Sequence, residues 1–306
     1  MQVGLVGYGY WGQRVAHNLG KFVLKSVCDL IPLRLAQAQQ DFCNILVSTQ
    51  IEDLLNDTDI QAIFIITPLS THYTLTKLAL LANKHVFVEK PMSSTLQEAK
   101  ELYMLAKERH KILHCDLTFL YTPSILWIQN NLQQLGQVLS IASRWLLGIC
   151  RKDTCALYDL AWHALSILSF LYPHALSISS HLSLLKAPHP NHPTLSTANL
   201  HFNIVEIMAS LNISWLSPFK VRDMLFIGTQ NTLYYNDNAS KPLSITPTSL
   251  ESKQVKTHYP TLPAFSALFK CIESFHQSIL SATPCFDQKR VVLDVLGFLE
   301  RLTLVP

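Results

Sequence analysis

Gly7, Gly9 and Gly12 stand at G-x-G-x-x-G spacing in the run Gly7-Tyr8-Gly9-Tyr10-Trp11-Gly12, directly after an apolar stretch, Gln2 to Val6. That spacing suits a strand, a turn and a helix around a pyrophosphate. Gly7 permits the tight turn, Gly9 lets bare backbone approach the phosphates, and Gly12 lets helix and strand pack closely. The helix that opens there offers free N–H groups and partial positive charge to the same anion. Asp29 ends the next apolar stretch, about 20 residues on, where a carboxylate accepts hydrogen bonds from ribose hydroxyls and repels a 2′-phosphate. A plain glycine turn with a solvated acid is the alternative. Agreement of strand, turn, helix and acid favours a dinucleotide site, with NAD preferred over NADP.

A second set of residues is suited to proton and hydroxyl chemistry. Glu89-Lys90-Pro91 follows the apolar run His85 to Val88, at the edge where ligands of open α/β sheets bind. The proline holds Lys90 extended and makes a cis peptide possible. Thr67-Pro68 ends another apolar run and reads as a strand-ending turn beside the same crevice. Asp159 and His163 are four residues apart in a helical pattern, so they share a face. A carboxylate can orient an imidazole and raise its basicity, as general-base catalysis near neutral pH requires. The plainer account is a helix N-terminal acid with a packed core histidine.

The elements that must position these groups follow from hydrophobic patterning. The first third alternates continuous apolar runs (Gln2 to Val6, Phe22 to Cys28, Ala62 to Ile66, His85 to Val88, Ile112 to Cys115) with helical stretches (Trp11 to Leu19, Pro32 to Gln40, His72 to Ala82, Leu96 to Glu108). This is the signature of repeated βαβ units and a doubly wound parallel sheet, an α/β Rossmann domain. Beyond Asp116 come helices at Pro123 to Leu132 and Asp159 to Leu171, with strands at Gln137 to Leu147, Ala175 to Ser183, Ala198 to Trp215, Val221 to Gly228 and Thr232 to Tyr235. They predict a second, α+β domain with a largely antiparallel sheet. Residues 188–193 and Lys241 to Thr261 read as surface loops, and helices at Ala264 to Leu280 and Gln288 to Leu302 close the chain. The expected division is residues 1–116 and 117–306.

With 306 residues, 49% hydrophobic and only 15% charged, the chain is apolar and globular, below the roughly 25% charge of an average soluble protein. No apolar run is long and uncharged enough to span a bilayer, and no secretory leader is recognisable, so a cytoplasmic location is expected. Seven cysteines without a CxxC pair suit reduced, mostly buried thiols. A net charge of +3 without a basic block leaves no footprint for nucleic acid. Arg144, Arg151 and Lys152 lead toward the Asp-His helix and could bind a diphosphate or carboxylate, although solvated charge explains any one of them. Tyr121 could donate to a substrate or be a core tyrosine. His189 and His192 lack acid or cysteine partners, so no metal site is expected.

Taken together, the glycine turn, Thr67-Pro68 with Thr71-His72, Glu89-Lys90-Pro91 and Asp159-x-x-x-His163 resemble, in order and spacing, the glucose-fructose oxidoreductase and inositol 2-dehydrogenase family. Thr118 to Tyr121, Tyr158 to Ala161 and Trp215 to Lys220 look like members that oxidise nucleotide-linked sugars and are similar to UDP-hexosamine 3-dehydrogenases. The resemblance implies hydride transfer from a sugar carbon to nicotinamide, with Lys90 binding the hydroxyl, His163 taking its proton and Asp159 positioning both. His72 and Glu89 would lie on the cofactor side. It also implies that the second domain's sheet is large, mostly antiparallel and open-faced, and that a homodimer or homotetramer forms through it. Leu117, Trp162 and Ala164 depart from the family pattern near the expected pocket wall. Two alternatives are a non-catalytic NAD-binding sensor or scaffold and a keto-sugar or other carbonyl reductase.

Overall fold

The computed structural model describes residues 1–148, 154–174, 176, 182–189, 192–248, 256–284 and 287–303. They form two compact units, Met1–Tyr121 with Phe265–Leu293, and Thr122–Ala264 with Asp294–Pro306. This differs from the expected division at 116/117, because a C-terminal segment returns to the first unit.

In that unit β1 (Gln2–Val6), β2 (Val23–Cys28), β3 (Leu46–Ser48), β4 (Ile60–Ile65), β5 (His85–Val88) and β6 (Leu113–Cys115) alternate with α1 (Tyr10–Ala16), α2 (Pro32–Asp41), α3 (Ile51–Asn56), α4 (Leu69–Leu81) and α5 (Leu96–Glu108). The sheet order is β3-β2-β1-β4-β5-β6, and every pairing is parallel. Strand order reverses between β1 and β4, which opens a crevice at the carboxyl ends of the strands. Gly7, Asp29, Thr67, Glu89 and Asp116 all lie just beyond those ends. The central strands β4 and β5 are apolar toward their carboxyl ends because both faces are covered there: Ala62 to Ile65 and Val86 to Val88 are fully buried.

The returning segment carries α8 (Ala267–Ser281), and α9 (Gln288–Thr303) begins in it. Phe275 of α8 is fully buried and meets Phe22, Phe64 and Phe87 at ring-centroid distances of 5.6, 5.6 and 5.7 Å. Burial of one such phenyl group contributes about 1.5–3 kcal/mol, which accounts for the segment's place in the first core.

The second unit holds α6 (Pro123–Asn131), β7 (Val138–Leu146), α7 (Trp162–Leu171), β8 (Leu182–His189), β9 (His192–Ile204), β10 (Ile207–Ser214), β11 (Val221–Gly228), β12 (Asn231–Asn236) and β13 (Leu243–Pro247). The sheet runs β13-β12-β11-β7-β10-β9-β8, antiparallel apart from the β7–β10 pair. One face is buried, with Ile141, Trp145, Leu211, Ile213, Phe226 and Leu233 in the core. The later turns of α9 belong to this unit, where Phe298 packs edge-on against Phe202 at 4.9 Å.

Several expectations are corrected here. Pro188, His189, His192 and Pro193 lie in the β8–β9 hairpin, where register shifts around Pro188 absorb the missing N–H. The expected loop at Lys241 to Thr261 contains β13, whose Leu243 and Ile245 are buried on the core face. Of the expected strand Ala175 to Ser183, most lies outside the described residues, and β8 begins at Leu182. The run Ala198 to Trp215 is two strands, folded back at Val205-Glu206 with Ile204 opposite Ile207. Val205 makes that turn at φ +57°, 61% exposed, without glycine, asparagine or proline to announce it. Among the described residues, no helix is long and apolar enough to cross a membrane.

A branched side chain at positive φ costs roughly 1–2 kcal/mol, and asparagine tolerates that region better. Val205→Asn should therefore raise the melting temperature by about 2–4 °C. A scan of unfolding against temperature that showed no rise would contradict the turn geometry.

Candidate active site

The glycine turn divides into positions the protein itself requires and one it does not. Gly7 takes φ +94°, and a Cβ there would lie 2.2 Å from the Ile66 carbonyl oxygen. A Cβ on Gly12 would lie 2.0 Å from the Gly7 oxygen. Gly9 is different: its Cβ would meet nothing nearer than the Arg34 guanidinium at 3.7 Å. The bare backbone there is a cradle a side chain would fill, as the approach of a phosphate group demands. No side chain caps α1 at Gly9, so its first N–H groups are left without that internal partner.

Asp29 is buried and fixes this turn. Its Oδ2 accepts from Tyr8 N at 2.7 Å and its Oδ1 from Ile31 N at 2.9 Å. Arg34 stands 3.4 Å from Oδ2 with nearly half its side chain exposed. Tyr8 turns inward and donates to Asp41 at 2.6 Å, while Tyr10 is exposed under the Arg14 guanidinium. Trp11 reaches across the carboxyl edge: its Nε1 donates to Asp116 Oδ2 at 2.9 Å.

Asp116, which sequence reasoning did not single out, joins the turn to the Glu89-Lys90-Pro91 segment. It is buried, accepts from Thr118 N and the Thr118 hydroxyl, and faces the Cys271 thiol at 3.7 Å. Glu89 also hydrogen-bonds it. Burial first, and then the Asp116 charge, push the Glu89 carboxyl well above the ordinary carboxylate range, although Lys90 opposes the shift. The only advance signal for Asp116 was an acid at the end of a strand.

The Lys90–Pro91 bond is cis, the possibility raised by the sequence. His72, buried in α4, sets Nδ1 2.6 Å from the Pro91 oxygen and Nε2 2.7 Å from the Thr67 oxygen. It thereby ties the loops after β4 and β5 together. Thr67 itself accepts from Thr71 Oγ1 at 2.8 Å, and Pro68 caps α4.

The second unit places Asp159 in a π-helical turn, Leu157–Ala161, that runs on into α7. The expected uninterrupted α-helix is thus widened at the acid, a distortion common at functional sites. Asp159 is buried and accepts from Trp215 Nε1 at 3.2 Å. His163 is partly exposed in the first turn of α7, its ring stacked on Trp145 at 5.4 Å and 28°. Trp145 and Trp215 were not foreseen as partners, although Trp215 opens one of the segments that carry the resemblance.

Arg144 forms a two-point ion pair with Asp223, which Tyr234 also contacts at 2.9 Å, a competing use of the guanidinium expected to bind substrate. Tyr121 donates to Ser274 at 3.0 Å and accepts from Gln288 at 3.1 Å in the core beside His114. Arg151 lies outside the described residues. Among those residues no group of three or more His, Cys, Asp or Glu is placed to hold a metal ion.

Two outcomes follow. Gly12→Ala should destabilise the fold by about 1–3 kcal/mol, since a backbone oxygen must move, whereas Gly9→Ala should stay within about 1 kcal/mol and weaken dinucleotide binding at least tenfold. Thermal melts and titration of NADH fluorescence separate these effects; equal melting losses would contradict the geometry. Glu89 holds its proton more tightly when folded, so its stabilising contribution is complete below about pH 4 and is lost as pH rises through the folded value. Glu89→Gln should thus melt near wild type at low pH and progressively above it as pH rises. A pH-independent difference would exclude a raised Glu89.

Residues 1–117 match the family model GFO_IDH_MocA, described as oxidoreductase family, NAD-binding Rossmann fold. An uncharacterised oxidoreductase of Synechocystis sp. is 34% identical over 156 residues, 46% of this chain and 42% of that protein. The scyllo-inositol 2-dehydrogenase (NADP(+)) of Bacillus subtilis is 32% identical over 115 residues, 37% of this chain and 32% of that one. The matches thus span less than half the length of these curated relatives. Solved structures share the fold along the chain. A UDP-N-acetylglucosamine 3-dehydrogenase from Acidithiobacillus ferrooxidans has TM-score 0.86 at 22% identity, covering 98% of this chain and 96% of that one. A 3-ketoreductase from Actinomadura kijaniata, in complex with TDP-benzene and NADP, has TM-score 0.86 at 18% identity, with the same coverage. Residues 1–117, which bring the glycine turn, Asp29 and the Glu89-Lys90-Pro91 segment to one sheet edge, are thus similar to the NAD-binding Rossmann domain of the Gfo/Idh/MocA oxidoreductase family.

Proposed function

We propose that the protein is an NAD-dependent oxidoreductase that transfers hydride between a secondary alcohol of a sugar, a nucleotide-linked one, and nicotinamide. The observation that carries this reading is the placement of Lys90 at the carboxyl edge of the nucleotide fold, on a segment held by His72 through Pro91 and by Glu89 through Asp116. The turn from Gly7 to Gly12 would hold the pyrophosphate and Asp29 a ribose. When bound, the nicotinamide supplies the hydride acceptor.

In this scheme the Lys90 ammonium binds the substrate hydroxyl oxygen and stabilises negative charge developing there. His163 accepts the hydroxyl proton at a ring nitrogen. The Trp145 stack restrains the imidazole plane, and Asp159, itself held by Trp215, positions the lysine and histidine. The same residues serve carbonyl reduction by microscopic reversibility. The likeness in fold to a nucleotide-sugar dehydrogenase and a 3-ketoreductase supports the sugar class. Self-association through the open face of the second sheet, where Met208 is 67% exposed, belongs to the same reading; sedimentation as a monomer would exclude it.

Lys90→Ala and His163→Ala should each lower kcat at least about a hundredfold while NAD affinity stays within a few-fold, with UDP-sugars as substrates and NADH formation followed by absorbance. Unchanged turnover in both variants would overturn the roles. The preference for NAD rests on Asp29 and is opposed by Arg34, a group able to receive a 2′-phosphate. Arg34→Ala should leave NAD affinity unchanged and weaken whatever NADP binding exists; calorimetric titration with both dinucleotides decides between the two.

A further inference from the structure

A cavity of about 810 Å³ lies in the first unit, among α5, the β6 edge, α8 and the start of α9. It is distinct from the carboxyl-edge crevice: none of its lining residues belongs to the glycine turn, to Asp29 or to the Glu89-Lys90-Pro91 segment. Its size falls within the range of small-molecule sites, roughly 300–1,000 Å³. Ile112, Leu113, Ile279 and Pro284 give it an apolar wall.

The polar groups lining it divide sharply. Gln288 is committed to Cys115 N, His114 and Tyr121, and His85 Nδ1 accepts from Ile112 N at 3.0 Å. Burial lowers the His114 pKa to about 3, and burial with the nearby Lys111 charge lowers that of His85 to about 4, so both imidazoles are neutral near pH 7. Permanent positive charge at the cavity is supplied by Lys107, Lys111 and Lys289, with His110 beside them on the lining. The acid on the lining, Asp287, is paired with Arg290 at 3.8 Å. Tyr103 lines the cavity with its ring beneath Lys289, while its hydroxyl is buried away from solvent and has no hydrogen-bond partner among the described residues.

We infer that this cavity binds a small organic anion with an apolar or aromatic body, its charge met by Lys107, Lys111 and Lys289 and its body by the apolar wall and the Tyr103 ring. An apolar wall with a few polar groups at the margin suits such an amphipathic molecule better than a free inorganic ion. The nucleotide crevice plays no part in the argument, so the inference stands or falls independently of the proposed oxidoreductase activity.

Anilinonaphthalene sulfonate, an aromatic anion whose fluorescence rises in apolar surroundings, is the probe. The full-length protein, titrated in saturating NAD, should show one saturable site per chain. Lys107→Glu with Lys111→Glu, two changes on the surface of α5 and just beyond it, should weaken binding at least tenfold. Lys289→Glu alone, at the start of α9, should also weaken it. Circular dichroism and melting temperature check that each variant is folded. Non-saturable binding, displacement of the probe by NAD, or unaltered affinity in the folded variants would each overturn the inference.

Discussion

The first unit depends on how closely its backbone approaches itself at the glycine turn. Gly7 N donates to the Cys28 oxygen at 2.8 Å, Gly7 lies against Ile66, and Gly12 lies against Gly7. These contacts bring the starts of α1 and of the loops after β2 and β4 into one small region. Asp29 completes the arrangement by accepting from Tyr8 and Ile31, so the acid suited to a ribose also serves as a structural acceptor. The proposed ribose contact and the stability of the turn would therefore draw on the same atoms, which leaves this corner little freedom to vary.

A second shared arrangement lies at the far end of the same edge. Trp11, Thr118, Cys271 and Glu89 converge on the Asp116 carboxylate. Two acids in contact are tolerable only where one retains its proton, and the burial of Glu89 makes it that one. The protonated acid can then donate, so the pair behaves as a hydrogen-bonded bridge instead of a repulsive contact. Glu89 precedes Lys90 in the chain and senses its charge, which links the electrostatics of the sheet edge to the lysine.

Much of the fold was legible because its signals are local. Gln2 to Val6, His85 to Val88 and Val221 to Gly228 fold with the bounds read from their apolar runs. Leu46–Ser48 and Ile51–Asn56 escaped notice because three and six residues carry too little periodicity. The Val205 reversal was hidden because pairing of the flanking strands overrides the residue's own preference. The return of Phe275 to the first core depends on contacts distant in sequence, which no local pattern encodes. At the candidate site, glycine spacing and the Glu89-Lys90-Pro91 segment were readable, whereas Asp116 and Trp145 act through tertiary neighbours and bear no motif, and Trp215, which opens a resembling segment, gave no local sign of its bond to Asp159.

The widened turn at Leu157–Ala161 has an evolutionary consequence. A helix that accommodates a surplus residue can lose it and close into regular α geometry without disturbing the elements on either side. Such a deletion would swing Asp159 around the helix axis relative to Trp215 while Trp162 to Leu171 kept their packing. The orientation of this carboxylate is thus a heritable setting adjustable by a single codon, independent of the helix that bears His163.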